Sequence, residues 1–442
     1  MKLFHLLLLA FTLPSFGQTT YDFPLSVSDN GRYLVDQSGT PFFYQADTPW
    51  FLFYKLTLPE VEEYVDQRKA QGFNALQIML TGGRGLRNIH GVGPFLGDDD
   101  ITRPDERHFA RVDSILNILE RKNMLVALVP LWAGCCRADY AGEDPDGNPL
   151  PLNRAGVDGA RTYARYLADR YCGRDNLMWI VGGDNDPWGA HDEYAALAEV
   201  LDDRCPKTLM TYHAASTHSS TDVFPEADWL DVSMVYTYFR GFNKAWNRIQ
   251  PDAYEVSRTE RRKSPARPFF LGESTYEGEH LPWGSAEQVR KQAYYAVLSG
   301  AAGHAYGSDN WHLPDNWREV LQYPGAFSME PLRRRMEERR WYEYVPDPDH
   351  RVLTQGAGDF ASNDYAIVAV HPNGRAAMIY VPSPRTLEID LRSLARGART
   401  ITIVEPESGL KKRVPMGEQN VLEIPAENYP TFSDVLIFVD VE

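Results

Sequence analysis

The stretch Asn176-Leu177-Met178-Trp179-Ile180-Val181-Gly182-Gly183-Asp184-Asn185-Asp186-Pro187 decides the fold. Its first part, Asn176 to Gly182, is an apolar, β-branched and aromatic run that reads as a strand. Gly182 and Gly183 then let the backbone turn and a ligand approach closely. A loop to Pro187 follows, and Asp192 to Leu201 reads as a helix.

The same strand, loop and helix unit recurs on both sides. Upstream, strands are expected at Phe42–Ala46, Asn74–Leu80 and Met124–Pro130. Between them come helices at Pro59–Gln71, Asp105–Lys122 and Val157–Tyr171. Gly72 stands just past the first helix, where a glycine stops one. Phe109, Val112, Ile115, Leu116 and Leu119 share one face of the second. Downstream, strands are expected at Thr208–His213, Leu230–Tyr238, Pro268–Gly272 and Gly303–Tyr306. Helices are expected within Asn243–Arg261, over Ser285–Ser299 and over Met329–Tyr344. Eight strands alternating with helices imply parallel pairing and closure, a (β/α)8 TIM barrel. A doubly wound open sheet would carry a Gly-rich phosphate loop after its first strand; Asp47-Thr48-Pro49-Trp50 is not one.

The pattern changes after about Asp347. Strand-like runs at Arg351–Thr354, Tyr365–Val370, Ala377–Val381, Leu387–Ile389, Thr400–Val404, Val421–Ile424 and Val435–Val439 alternate with turn signals such as Pro372-Asn373-Gly374. They predict a small antiparallel β-sandwich. The expected organisation is a signal peptide over 1–17, a barrel over 18–346, and a sandwich over 347–442 joined by the linker Asp347-Pro348-Asp349. Lys2 followed by the apolar run Leu3 to Phe16 carries the signal-peptide reading, with cleavage before Gln18. No Cys follows it to take a lipid, and no other segment is apolar enough to span a membrane. The mature protein is expected to be secreted or periplasmic.

Composition narrows the function. A chain of 442 residues with 43% hydrophobic and 24% charged residues is globular. A net charge of −16 without a sustained basic stretch excludes nucleic acid as a partner. Arg333-Arg334-Arg335 and Arg339-Arg340 lie in a Glu-rich helical pattern and read as a solvated face. The 10 Trp and 24 Tyr suit either stacking on sugar rings or large cores. Cys172 and Cys205 fall near the ends of predicted helices and can pair if those ends adjoin. Cys135-Cys136 reads as a loop feature, and the absence of Cys-x-x-Cys spacing argues against structural zinc.

Barrel active sites form at the C-terminal strand ends. There stand Asp47 and Trp50, then Trp132, Asp184, His213, Tyr236 and Tyr238, Glu273, and Trp311. No Lys is among them, which argues against Schiff-base chemistry. Asp184 after the fourth strand and Glu273 after the seventh face each other across the mouth. Cleaving a glycosidic bond needs such a pair, one carboxyl protonated for the leaving oxygen and one ionised to attack carbon or activate water. Asp186 is the competing acid and reads as shaping the turn before Pro187; Glu277 reads as a loop support. His213 lacks a second His or a Cys at ligand spacing, so it reads as a hydrogen-bond donor to substrate or to Glu273 and not as a metal ligand. Asp47 is either an acceptor for a sugar hydroxyl or a turn cap, and Trp311 either a stacking platform or core. Trp50, Tyr236 and Tyr238 complete the expected substrate-binding set. Neither a metal nor a cofactor is expected.

Several segments resemble the apiosidase-like barrel family, glycoside hydrolase family 140, once catalogued as a domain of unknown function. They are Phe42-Phe43 through Asp47-Thr48 and Trp50, Gly72-Phe73-Asn74, Trp179 through Asp184, Thr211-Tyr212-His213 with Ser219-Ser220, Gly272-Glu273 with Tyr276-Glu277, and Gly303-His304-Ala305-Tyr306-Gly307. The resemblance implies hydrolysis of a glycosidic bond with retention, on D-apiose in plant pectic side chains, with Asp184 as acid/base and Glu273 as nucleophile. It departs after Asp184, where Asn185-Asp186 replace a more basic pair, and the loop Thr81–Thr102 varies; loops set specificity. The other readings are a same-fold glycosidase for another polysaccharide and a non-catalytic carbohydrate-binding or adhesion protein.

Overall fold

The computed structural model describes residues 19–135, 139–187, 189–237, 251–415, 419–429 and 431–442. The expected signal peptide, Cys136, Tyr238 and the first part of the helix expected within Asn243–Arg261 lie outside the described residues.

Eight parallel strands form one sheet: β1 (Tyr44–Asp47), β2 (Ala75–Met79), β3 (Leu125–Val129), β4 (Leu177–Gly182), β5 (Met210–His213), β6 (Ser233–Tyr236), β7 (Phe269–Glu273) and β8 (Gly303–Tyr306). Their order is β5-β4-β3-β2-β1-β8-β7-β6, a nearly closed barrel. The long connections are α1 (Leu58–Ala70), α2 (Glu106–Arg121), α3 (Pro151–Tyr171), α4 (His191–Arg204), α5 (Ala253–Arg262) and α6 (Ala286–Leu298), with α7 (Met329–Glu338) after the last strand. The strands are short and buried along their whole length, which is why they read as predominantly apolar runs. Helix α3 begins six residues earlier than its apolar periodicity indicates, because Pro151 opens it and a kink at Gly156 (φ 63°) breaks the period.

The seam between β5 and β6 lacks a backbone ladder, and a side chain bridges it. The Ser220 hydroxyl donates to Tyr212 O at 2.6 Å and accepts from Met234 N–H at 2.7 Å. Beside it, Ser219 pairs antiparallel with Val235. Backbone groups that would otherwise be orphaned inside the barrel wall are thereby satisfied.

The C-terminal part is a two-sheet antiparallel sandwich. Its strands are β9 (Val345–Pro346), β10 (Leu353–Gln355), β11 (Ile367–Val370), β12 (Ala376–Val381), β13 (Leu387–Asp390), β14 (Arg399–Val404), β15 (Lys411–Val414), β16 (Val421–Ile424) and β17 (Val435–Val441). The sheet orders are β9-β11-β12-β17-β14-β15 and β10-β13-β16. Val352, Leu387, Ile389, Ile401 and Ile437 fill the space between them. Strand β15 escapes a reading of apolar runs because its residues are Lys, Lys, Arg and Val; charge of this kind suits an edge strand.

The expected linker is not a free tether. Val345 and Pro346 already pair with Val370 and Ala369. Asp347 is buried and accepts from Arg351 Nε at 2.9 Å and from Val352 N–H at 3.2 Å. Proline and aspartate here make a tight corner. The other face of the larger sheet packs on α6: Tyr294 stacks on Tyr380 with centroids 4.7 Å apart, and buried Arg290 grips Asp434 through two bonds of 2.9 Å.

Cys172 and Cys205, at the ends of α3 and α4, are joined by a disulfide with Cα atoms 5.0 Å apart. Closing a loop of 33 residues stabilises the fold by roughly 3–4 kcal/mol through the unfolded chain. No helix among the described residues is long and apolar enough to cross a membrane.

Candidate active site

Glu273 reaches the barrel mouth because of a bulge. Along β7, Phe269 and Leu271 pack outward toward the helices, while Phe270 points inward and stacks on Tyr44 at 4.2 Å. Strict alternation would send Glu273 outward with Leu271. The register slips between Leu271 and Glu273, so Gly272 is the extra residue and Glu273 turns inward. Only glycine fits there: a Cβ would stand 2.4 Å from the Met234 side chain.

Asp184 is aimed by its own local geometry. Gly182 (φ 76°) and Gly183 (φ 146°) precede it, and Asp184 itself has φ 63°. A Cβ on Gly183 would lie 2.1 Å from the Trp132 ring. This turn puts the Asp184 backbone N–H against His213 Nδ1 at 3.0 Å.

One imidazole then ties the Glu273 carboxyl to the backbone of the Asp184 turn. His213 Nδ1 accepts from Asp184, so the ring proton sits on Nε2 and is donated to Glu273 Oε2 at 2.6 Å. Burial opposes a second proton on the ring, whereas the Glu273 hydrogen bond and the charges of Glu273 and Asp184 favour it and raise its pKa overall. That proton would have to enter at Nδ1, displace the Asp184 N–H and turn to Ala214 O at 3.1 Å. While the ring is neutral, the backbone donor selects which of its nitrogens carries the proton. The other oxygen of Glu273 accepts from the Tyr276 hydroxyl at 2.6 Å, and Tyr276 in turn accepts from Trp50 Nε1 at 2.7 Å. Glu273 therefore receives two donors, one on each oxygen.

Asp184 is treated oppositely. Burial, then the charge of Glu273, push its carboxyl from 3.8 to about 6, while the His213 charge and hydrogen bonds from the Tyr236 hydroxyl and the Cys135 thiol pull it back. Two carboxyls thus differ in environment: Glu273 meets two donors, and Asp184 is inclined to keep its proton. One oxygen of each, with a ring nitrogen of His213, lie within 4.8 Å of one another. A divalent cation could use that trio, but it would have to replace the proton shared by His213 and Glu273.

A cavity of about 320 Å³ opens at this end of the barrel. Trp50, Phe51, Trp132, Cys135, Asp184, Glu273, Tyr276, Glu279 and Trp311 are among its walls. Aromatic faces and carboxylates around one hole suit a ligand with an apolar face and many hydroxyls.

The sequence-derived residues separate into groups. Asp184, Glu273, Trp50 and Trp311 line the cavity. His213 and Tyr236 stand behind it, 0% and 3% exposed, holding Glu273 and Asp184 instead of substrate. Asp47 is corrected outright: it is 1% exposed and accepts from Tyr64 at 2.5 Å and Arg68 at 2.8 Å. A buried guanidinium takes the carboxylate that strand-end position alone would offer to a sugar. Asp186 accepts from Ala215 N–H and pairs with His218 at 3.0 Å, tying its loop to the one after β5. Glu277 supports its loop by accepting from Gly325 N–H and Tyr306. Glu279 and Cys135 were missed as site residues. Each sits in a loop beyond a strand end, where no periodicity points inward.

Residues 28–343 match the sequence profile described as "Apiosidase-like, catalytic domain". No curated protein matches the chain. A solved structure named "Glycoside hydrolase" superposes with TM-score 0.82 at 24% identity, covering 96% of this chain and 99% of that one. A glycoside hydrolase family 5 structure from Bacteroides vulgatus gives 0.82 at 23% identity, over 96% and 95%. These likenesses carry the barrel-plus-sandwich fold across nearly the whole length, and the profile, which spans the barrel, carries the kinship: the chain belongs to the apiosidase-like family and is a glycoside hydrolase.

Proposed function

We propose that the protein is a retaining glycosidase exported from the cell, acting from the chain end on apiose-type sugars of pectic side chains. Asp184 is the acid/base and Glu273 the nucleophile. The observation that carries this reading is the spacing of the pair: one oxygen of each lies within a 4.8 Å group. Retaining enzymes hold their carboxyls about 5–5.5 Å apart, so that one reaches the anomeric carbon directly; inverting enzymes leave about 6.5–9.5 Å for a water. The opposed environments supply the two protonation states. In the first step Glu273 attacks the anomeric carbon as Asp184 gives its proton to the leaving oxygen. In the second, Asp184 takes a proton from water, which displaces Glu273.

A cavity near the lower end of ligand-pocket sizes, about 300–1,000 Å³, supports action on a terminal sugar over a long bound chain. The disulfide supports an oxidising compartment, in keeping with the apolar N-terminal run. The apiose assignment rests on the family. Two measurements test the proposal. Pectic oligosaccharides incubated with the protein should release a monosaccharide identifiable as apiose; release of a different sugar would replace the substrate and leave the mechanism. NMR of the first-formed product should show the anomer of the substrate; the opposite anomer would make Glu273 a base and end the nucleophile assignment.

A further inference from the structure

The segment after Tyr276 follows the cavity wall as a closed loop. Gly278 N–H donates to Gly284 O at 2.9 Å, and Trp283 N–H donates to His280 O at 3.1 Å. Glu279 projects from this loop into the cavity. Its side chain is 18% exposed, most of it covered by protein. Oε1 accepts the Trp311 indole N–H at 2.5 Å. Oε2 has His280 Nε2 at 3.9 Å, beyond hydrogen-bonding distance.

Glu279 takes no part in the proton and nucleophile roles set out above. Its neighbour Trp311 lines the same cavity and is braced edge-on by Phe51, with centroids 5.5 Å apart. An indole face beside a carboxylate oxygen matches the two sides of a sugar ring, one made of C–H groups and one bearing hydroxyls. Burial, offset in part by the Trp311 bond and reinforced by Asp309, Glu273 and Asp184, lifts the Glu279 carboxyl to about 7. This is the condition of a carboxylate short of donors, which a sugar hydroxyl would supply.

We infer that Glu279 is a substrate-binding residue that sets sugar specificity: Oε2 accepts a hydrogen bond from a ring hydroxyl while Trp311, held through Oε1, carries the ring's apolar face. The inference rests on the glycosidase reading of this cavity, not on apiose being its sugar. A site built to bond a hydroxyl rejects the sugar lacking it, because the buried carboxylate is then left unpaired.

The test is calorimetric binding of free D-apiose, D-xylose, L-arabinose, D-ribose and 2-deoxy-D-ribose to the wild type and to Glu279→Gln and Glu279→Ala. Gln keeps the bulk and an oxygen for Trp311, but offers an amide N–H₂ to the sugar. The best-bound sugar should lose about 10–100-fold in Kd with Gln. D-ribose and its 2-deoxy analogue should differ less in the variant than in the wild type if the 2-hydroxyl is the one bound. If a sugar other than apiose binds best and Gln still weakens it, the substrate is revised and Glu279 stands. If apiose binds best and Gln leaves its Kd within about twofold, the role of Glu279 is overturned and the substrate stands. A loss with Ala that Gln fully restores would also overturn it, leaving only support of Trp311. No binding of any sugar by the wild type would overturn both.

Discussion

Replacing Tyr236 by Phe removes a single oxygen from the site and leaves the ring that packs edge-on against His213 at 5.0 Å. The lost oxygen is the one that hydrogen-bonds Asp184 and pulls its pKa down. In the proposed mechanism Asp184 must be protonated to begin the reaction, so kcat/KM falls as pH rises through its pKa of about 6. The sign follows from the bond: it stabilises the carboxylate, and removing it favours the acid. Tyr236→Phe therefore moves the basic limb of the pH profile upward. A hydrogen bond to a charged group is worth about 1.5–3 kcal/mol, and one pKa unit is about 1.4 kcal/mol, which bounds the shift at about 1–2 units. The Cys135 thiol still bonds Asp184 in the variant, so the lower end is expected, a limb near about 7. The assay is kcat/KM for sugar release over roughly pH 4 to 9, with the acid limb and the rate near pH 5 as internal controls. A basic limb that stays in place, or moves down, would refute the assignment of Asp184 as proton donor.

Three further outcomes are expected. Asp184→Ala and Glu273→Ala each cut turnover by several orders of magnitude with an unchanged circular-dichroism spectrum, while Asp186→Ala is mild; if Asp186→Ala is the more damaging aspartate variant, the acid is misassigned. Prolonged dialysis against EDTA leaves activity intact, since His213 and Glu273 spend their facing atoms on each other; a loss reversed by one divalent ion would overturn the metal-free reading. Ser220→Ala lowers stability to urea by about 2–4 kcal/mol, because two buried backbone groups each lose a partner; a change below about 0.5 kcal/mol would mean that the β5–β6 seam does not depend on that hydroxyl.

The barrel was legible because its strands are buried on both faces and most carry apolar or aromatic residues, as in Leu125–Val129 and Leu177–Gly182. Lys411–Val414 was invisible to the same reading, since an edge strand needs no apolar residues to pair. Position at a strand end puts Asp184 and Glu273 on the cavity wall, yet it could not separate them from Asp47, which occupies an equivalent place on β1. What separates them is a residue on α1: Arg68, 21 positions away from Asp47, neutralises the one and not the others. His213 was legible as a partner of Glu273, but not as the ring that also receives Asp184. Glu279 was illegible because its approach to the cavity is made by a loop closing on itself, which leaves no period in the sequence.

The carboxyl pair comes from strands that are not neighbours in the sheet, so neither strand alone can set the distance between the acids. His213 does so from β5: one nitrogen is pinned by the backbone of the β4 turn and the other holds Glu273 at the end of β7. The width of an imidazole therefore enters the spacing on which the proposed retaining mechanism depends. That ring stands at the one place where the barrel wall lacks a ladder, next to Tyr212, whose carbonyl is tied across the gap by Ser220. Loosening the seam should let β5 shift, and with it the side chain that bonds both carboxylate-bearing turns. A serine with no access to substrate thus bears on catalysis through the position of His213. Its variant should lose kcat more than KM if the barrel still closes, because binding uses the aromatic walls and chemistry uses the spacing.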